Sequence, residues 1–124
     1  MTKSISIAQY KNFRPNKYRA IKSGGKDSIK EHKRTIYLRE EQKDGRIREL
    51  QEQVTFMLQE SFKDSEGNSE RAIKYIADFV YFDNKKKCWI VEDVKSAMTK
   101  KLAAYIIKRK LFKKKYSQYI FKEF

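Results

Sequence analysis

From residue 28 onward the apolar positions change period several times, and each change predicts an element. SIKEHKRTIYLREEQK (28–43) follows Gly24 and Gly25 and has Ile29, Ile36 and Tyr37 at helical spacing. Ser28 and Glu31 have the form of a capping box, and Gly45 follows as the helix C-cap. From Gln53 to Leu58 the period drops to two, with Val54, Phe56 and Leu58 on one face and Gln53, Thr55 and Met57 on the other: a strand. KDSEGNSE (63–70) is a polar turn region. Residues 71–83 put aromatic and β-branched side chains on both faces, as a covered central strand does. Asp83, Asn84 and the lysines at 85–87 then turn the chain into a strand from Cys88 to Lys95, completing a meander. Helical period returns over 99–116, with Leu102, Ile106 and Phe112 expected on the buried side beside Ala103 and Ile107. YIFKEF closes the chain as a last strand. The expected order is helix, three strands, helix, strand, an α/β domain over residues 27–124.

Charge narrows what such a domain does. The 124 residues carry 30 Lys plus Arg against 16 Asp plus Glu, a formal +14, more than solubility needs, and a polyanion is the natural partner. Residues 1–26 hold Arg14, Lys17 and Arg19 among aromatics, with no acid before Asp27. They are expected to be a mobile arm that either grips a nucleic-acid strand or is simply a solvated terminus. No apolar run is long enough to span a bilayer and the start lacks a signal-peptide core, so an intracellular protein without a membrane partner is expected. Cys88 and His32 are the only residues of their types, which excludes an intrachain disulfide and a Cys/His zinc site. Cys88, in an apolar strand, is expected to be a small buried thiol. Acid–base or metal chemistry must then rest on Asp, Glu and Lys.

Two of the acids interrupt runs built for burial. Asp78 lies in YIADFVYF, and Asp93 lies in WIVEDVK with Lys95 two residues on, so Asp93 and Lys95 share a strand face while Glu92 points away. A hairpin folds the two strands together, bringing Asp78, Asp93 and Lys95 to one face. Carboxylates buried this way are costly without a shared cation. Mg²⁺, which takes one or two carboxylates and keeps waters, is such a cation and would serve phosphodiester hydrolysis. The alternative is an ion pair of Asp93 with Lys95 at a strand end, with Asp78 accepting backbone N–H groups.

The helix, the meander, Asp78, the triplet Asp93-Val94-Lys95 and the basic helix after it resemble the PD-(D/E)XK superfamily, the restriction-endonuclease-like nucleases. IKYIADFVYF, WIVEDVK and IKRKLFKKKY are similar to small phage and prophage nucleases described as Holliday-junction resolvases. The resemblance covers about residues 27–124. It implies a helix–meander–helix–strand core with a mixed sheet, and Asp78 and Asp93 as ligands of Mg²⁺ or Mn²⁺. It further implies the Val94 carbonyl as an additional ligand and Lys95 as the catalytic lysine. Glu31 matches a glutamate that often completes such sites, with the helix cap as its other role. Gln53 matches a first-strand glutamine of related nucleases, including endonuclease subunits of certain transposases, with a solvated or hairpin-bonded amide as the alternative. Ala77 stands where the superfamily often has proline. Lys100, Lys101, Lys108, Arg109 and Lys110 follow the last motif on the basic helix, where they hold phosphates or form a solvated face. The implied protein is a structure-selective DNA endonuclease of phage recombination or replication. It would act as a homodimer on branched DNA in the cytoplasm of a bacterial host, at the nucleoid. A less selective nickase, a transposase-type end-cutter and a non-catalytic DNA binder of the same fold are the alternatives.

Overall fold

The structure, a computed structural model, describes residues 26–124, with side chains from Ile29 onward. Helix α1 (Lys26–Lys43) leads into strand β1 (Ile47–Gln59). A small hairpin of β2 (Phe62–Lys63) and β3 (Ser69–Glu70) precedes β4 (Ile73–Asp83) and β5 (Cys88–Asp93). A one-turn helix α2 (Ala97–Lys100), helix α3 (Ala103–Lys115) and strand β6 (Tyr119–Glu123) complete the order. One mixed sheet runs β1-β4-β5-β6, antiparallel at its first two pairings and parallel between β5 and β6. The α/β class and the order of the helices and main-sheet strands are those expected, while the β2–β3 hairpin lies in the segment expected to be a polar turn region. The arm assigned to residues 1–26 lies outside the described residues but for Lys26, which already belongs to α1. No described helix is long and apolar enough to cross a membrane.

Helix α1 ends as its sequence predicts. Gly45 has φ +83°, and the N–H groups of Gly45 and Arg46 bond the carbonyls of Gln42 (3.0 Å) and Glu41 (3.0 Å), the paired bonds of a Schellman motif. Its beginning and its buried face differ from expectation. Ser28 lies inside the helix and so cannot be its N-cap. Ile29, Ile36 and Tyr37 are about half exposed, and Leu38 is the residue that enters the core. Glu31 and Arg34, two turns and one turn before Leu38, also face the sheet, because polar partners wait for them there.

Strand β1 begins six residues before the predicted Gln53. Its polar first half, IRELQE, hides the strand period, and a bulge between Arg48 and Gln51 breaks the alternation, with Glu49 at φ 55°. On the α3 side of the sheet, Val54, Phe56, Tyr75, Ala77, Val80, Val91 and Tyr119 pack around Phe112. On the α1 side, Ile47, Phe79, Tyr81, Ile90 and Val94 pack with Leu38. Ala77 and Val80 lie in one cluster and Phe79 in the other, so β4 skips a beat of alternation at Asp78. Cys88 is half-buried at the edge of the α1-side cluster.

The helix expected over 99–116 is broken at Leu102, whose backbone is extended (φ −71°, ψ 133°) and whose side chain is 53% exposed. Ser96 caps the short α2 through Thr99 N–H (3.1 Å). The buried stripe of α3 is therefore Tyr105 and Phe112; Ile106 is half-buried and Ile107 is exposed. Phe112 wins this position through its rings: Phe56 stands edge-on at 4.9 Å and Tyr116 stacks at 5.3 Å.

Candidate active site

The skip in β4 lets Asp78, 3% exposed, serve two neighbours at once. Its Oδ2 accepts the Val94 N–H at 2.8 Å, and its Oδ1 lies 3.3 Å from Gln53 Nε2. Gln53 Nε2 also donates to Glu31 Oε2 at 2.8 Å, so one amide ties α1 to the sheet acid. Gln53 holds φ 55°, a left-handed conformation that costs a non-glycine residue roughly 1–2 kcal/mol. The strand and the two carboxylates around it hold it there. The hairpin-bonded or solvated alternative for Gln53 and the cap alternative for Glu31 both give way to this bridge.

Asp93 is fully buried. Tyr75 Oη donates to its Oδ2 at 2.5 Å, while Lys95 Nζ stands 3.2 Å from Oδ1. Oδ1 itself accepts no hydrogen bond. Burial, then the charge of Asp78, pushes the Asp93 carboxyl up to about 8 against the opposing pull of Lys95. Burial works to lower Lys95, but Asp93, Asp78 and Glu31 outweigh it and the ammonium is favoured. Burial and Asp93 also raise Tyr75 well above its ordinary value, so it remains a donor. The loop after Asp93 is held on all sides: Lys95 N–H donates to Phe124 O (2.9 Å), Phe124 N–H to Asp93 O (2.9 Å), and Lys30 Nζ to Lys95 O (3.3 Å).

All five positions singled out in the sequence for chemistry, Glu31, Gln53, Asp78, Asp93 and Lys95, thus cluster where the middle of β1 and β4 meets the C-terminal end of β5. Among the described residues, no three His, Cys, Asp or Glu side chains form a ready cage for a cation. Glu31 reaches Asp78 through the Gln53 amide rather than joining the two aspartates. Mg²⁺ needs only one or two carboxylates besides water, and Asp93 Oδ1, which meets the Lys95 ammonium at 3.2 Å, accepts no other hydrogen bond. The donor set of Asp78 and Asp93 therefore fits a hard divalent cation. Val94, the expected carbonyl ligand, is buried beside Asp93 in sequence, with its N–H fixed by Asp78.

A family profile matches residues 11–122, nearly the whole chain. The chain belongs to the DUF1064 family. That family is described as proteins of unknown function. No curated protein and no solved structure matches the chain. The match starts before the described residues, so the DUF1064 region takes in Arg14, Lys17 and Arg19, all three outside the described part of the structure.

Behind the site, the DUF1064 chain buries a third acid, one that sequence reasoning set aside. Glu92 is fully buried and takes a bidentate grip from Arg34 (Nε 2.8 Å, Nη2 2.7 Å) and a hydrogen bond from Tyr81 Oη. Burial lowers Arg34, and the Glu92 bonds more than offset it. This pair pins α1 to β5 one turn from Glu31. Neither Arg34 nor Tyr75 carried a sequence signal, because each is recognised only by its distant partner. Of the basic candidates, Lys100 and Lys101 end α2, and Lys108 and Lys110 lie on α3. Arg109 is different: it pairs with Glu123 (3.6 Å), which also accepts Tyr105 Oη, so it fastens α3 to β6.

Proposed function

We propose that this protein is a divalent-metal-dependent endonuclease that hydrolyses phosphodiester bonds in DNA, selective for branched structures. The observation that carries this reading is the pair of carboxylates, Asp78 and Asp93, buried in adjoining strands with Lys95 as their one close cation among the described residues. Such a pair is destabilising to a fold that gains nothing from it. The element order, which resembles that of the PD-(D/E)XK core, and the +14 charge both support it.

In this reading Asp78 and Asp93 would hold Mg²⁺ or Mn²⁺, with the Val94 carbonyl as a further oxygen donor. The bound cation supplies positive charge that polarises the phosphodiester and acidifies water. Tyr75 orients Asp93 by occupying Oδ2, which leaves Oδ1 facing Lys95. Lys95, kept as an ammonium by the surrounding acids, neutralises charge that develops on the phosphate. Gln53 sets the distance between Asp78 and α1 through Glu31. Lysines of α2 and α3 and the basic arm hold backbone phosphates without reading bases, which suits recognition by shape. Cutting two symmetric strands calls for two copies about a two-fold axis.

A DNA-binding protein without turnover is a second reading, favoured by one observation. Asp93 is raised to about 8 beside Asp78, so a proton could neutralise the pair in place of a cation. Incubating the protein with a synthetic four-way junction and with matched linear duplex, each with Mg²⁺ and with EDTA, separates the two. Junction cleavage in Mg²⁺ alone supports the nuclease. Tight binding without cleavage in Mg²⁺ or Mn²⁺ supports the second reading.

A further inference from the structure

Beside the candidate active site, α1 and the end of the sheet enclose a pocket of about 250 Å³. Lys30, Lys33, Arg34 and Tyr37 form its helical wall, and Val94 and Phe124 its floor. The helical residues fall at i, i+3, i+4 and i+7, one stripe of α1. Val94 lies between Asp93 and Lys95, so the pocket abuts the catalytic segment directly.

The stripe combines two chemistries. Arg34 is fixed in its plane by Glu92, and its guanidinium carbon lies 4.7 Å from the Tyr37 ring centre and 3.9 Å from that of Phe124. This makes a rigid wall of flat groups in which Tyr37 is 49% exposed. Lys30 and Lys33 are exposed on the same face. Flat apolar walls accept a planar ring, and the two ammonium groups accept an anion attached to it. At about 250 Å³ the space falls below the roughly 300–1,000 Å³ of pockets that enclose a drug-sized ligand, so it suits one ring system with the rest of the ligand outside. An apolar protein side chain would leave Lys33 unanswered and Lys30 with only the Lys95 carbonyl.

We infer that this pocket takes an unpaired nucleotide of the DNA strand, its base stacked on Tyr37 and its phosphates held by Lys30 and Lys33. The inference rests on the nuclease reading for the identity of the polyanion and deepens it. A paired base cannot leave its stack without cost, whereas single-stranded flaps, gaps and ends offer free bases. The pocket is then the element that separates branched DNA from regular duplex.

The test is affinity measured in EDTA, where no strand is cut, on the full chain with a short single-stranded oligodeoxynucleotide and its matched duplex. Tyr37→Ala should weaken single-strand binding roughly 5- to 100-fold, the range for losing one base–aromatic stack. Duplex binding should stay within about twofold. Tyr37→Phe, which keeps the ring, should bind as the wild type does. Lys33→Gln should reduce the slope of log affinity against log salt by about 0.7 on the single strand. Equal losses on both DNAs, or no loss with Tyr37→Ala, would overturn the pocket. Tyr37-dependent binding by a protein that never cuts would keep the pocket and sink the nuclease, while cleavage with Tyr37-independent binding would do the reverse.

Discussion

Replacing Asp93 by asparagine should stabilise the metal-free protein at alkaline pH, although it alters a side chain at the heart of the candidate site. Burial and Asp78 raise the Asp93 carboxyl to about 8, while in the unfolded chain it titrates near 4. Between these values the folded protein holds a proton that the unfolded chain releases. The contribution of Asp93 to stability is therefore greatest in acid, falls as pH rises through this window, and levels off above about 8. At about 1.4 kcal/mol per pH unit the window bounds the loss at roughly 5–6 kcal/mol. An asparagine mimics the neutral acid throughout, but its amide must be accommodated where Lys95 and Tyr75 now meet oxygen, at a cost of about 1–2 kcal/mol. A gain of at most about 3–5 kcal/mol near pH 9 is expected, with the two proteins within about 2 kcal/mol near pH 5. In the wild type Lys95, itself raised, stays charged across this range. Urea denaturation in EDTA at both pH values measures it. A variant less stable than wild type near pH 9, or a difference independent of pH, would refute the reasoning. Added Mg²⁺ should stabilise the wild type and leave the variant unchanged.

Lys95→Ala should slow cleavage by about 10² or more with little change in DNA affinity, and single-turnover rates beside binding curves check this. Arg34→Ala leaves Glu92 buried against Tyr81 alone and should cost about 3 kcal/mol in urea denaturation; replacing both Arg34 and Glu92 by leucine should recover most of the loss. Neutralising Lys108 and Lys110 should weaken binding to all DNA sequences alike and reduce the salt slope on duplex by about 0.9 for each phosphate no longer neutralised, as affinities at several salt concentrations would show. Arg109 is left in place there because its ion pair with Glu123 belongs to the fold.

The central strands and their acids were legible because the signal is local: an acid inside an apolar run stands out within a few residues, as at Asp78 and Asp93. Glu31 and Gln53 were legible as positions through resemblance, but their bridge was not, since an amide in left-handed geometry follows from β4 and α1 acting on Gln53 together. The buried face of α1 was misjudged because polar residues occupy it. Arg34 faces inward only because Glu92, 58 positions later, is there to receive it. The polar, bulged half of β1 was likewise set by its pairing with the distant β4, against local propensity, whereas the backbone of the extended Leu102 bonds only Thr99 and Ile106 close by. Arg109, one basic residue among many in sequence, is distinguished by Glu123 on the last strand.

The most direct test of the metal-site assignment is junction cleavage in Mg²⁺ by wild type, Asp78→Asn and Asp93→Asn, with junction affinity measured in parallel. Both variants should lose cleavage while binding the junction about as tightly as wild type, since these buried carboxylates would hold the cation and not the DNA. Cleavage at the wild-type rate by either variant would contradict the assignment of Asp78 and Asp93 as the pair that holds the cation.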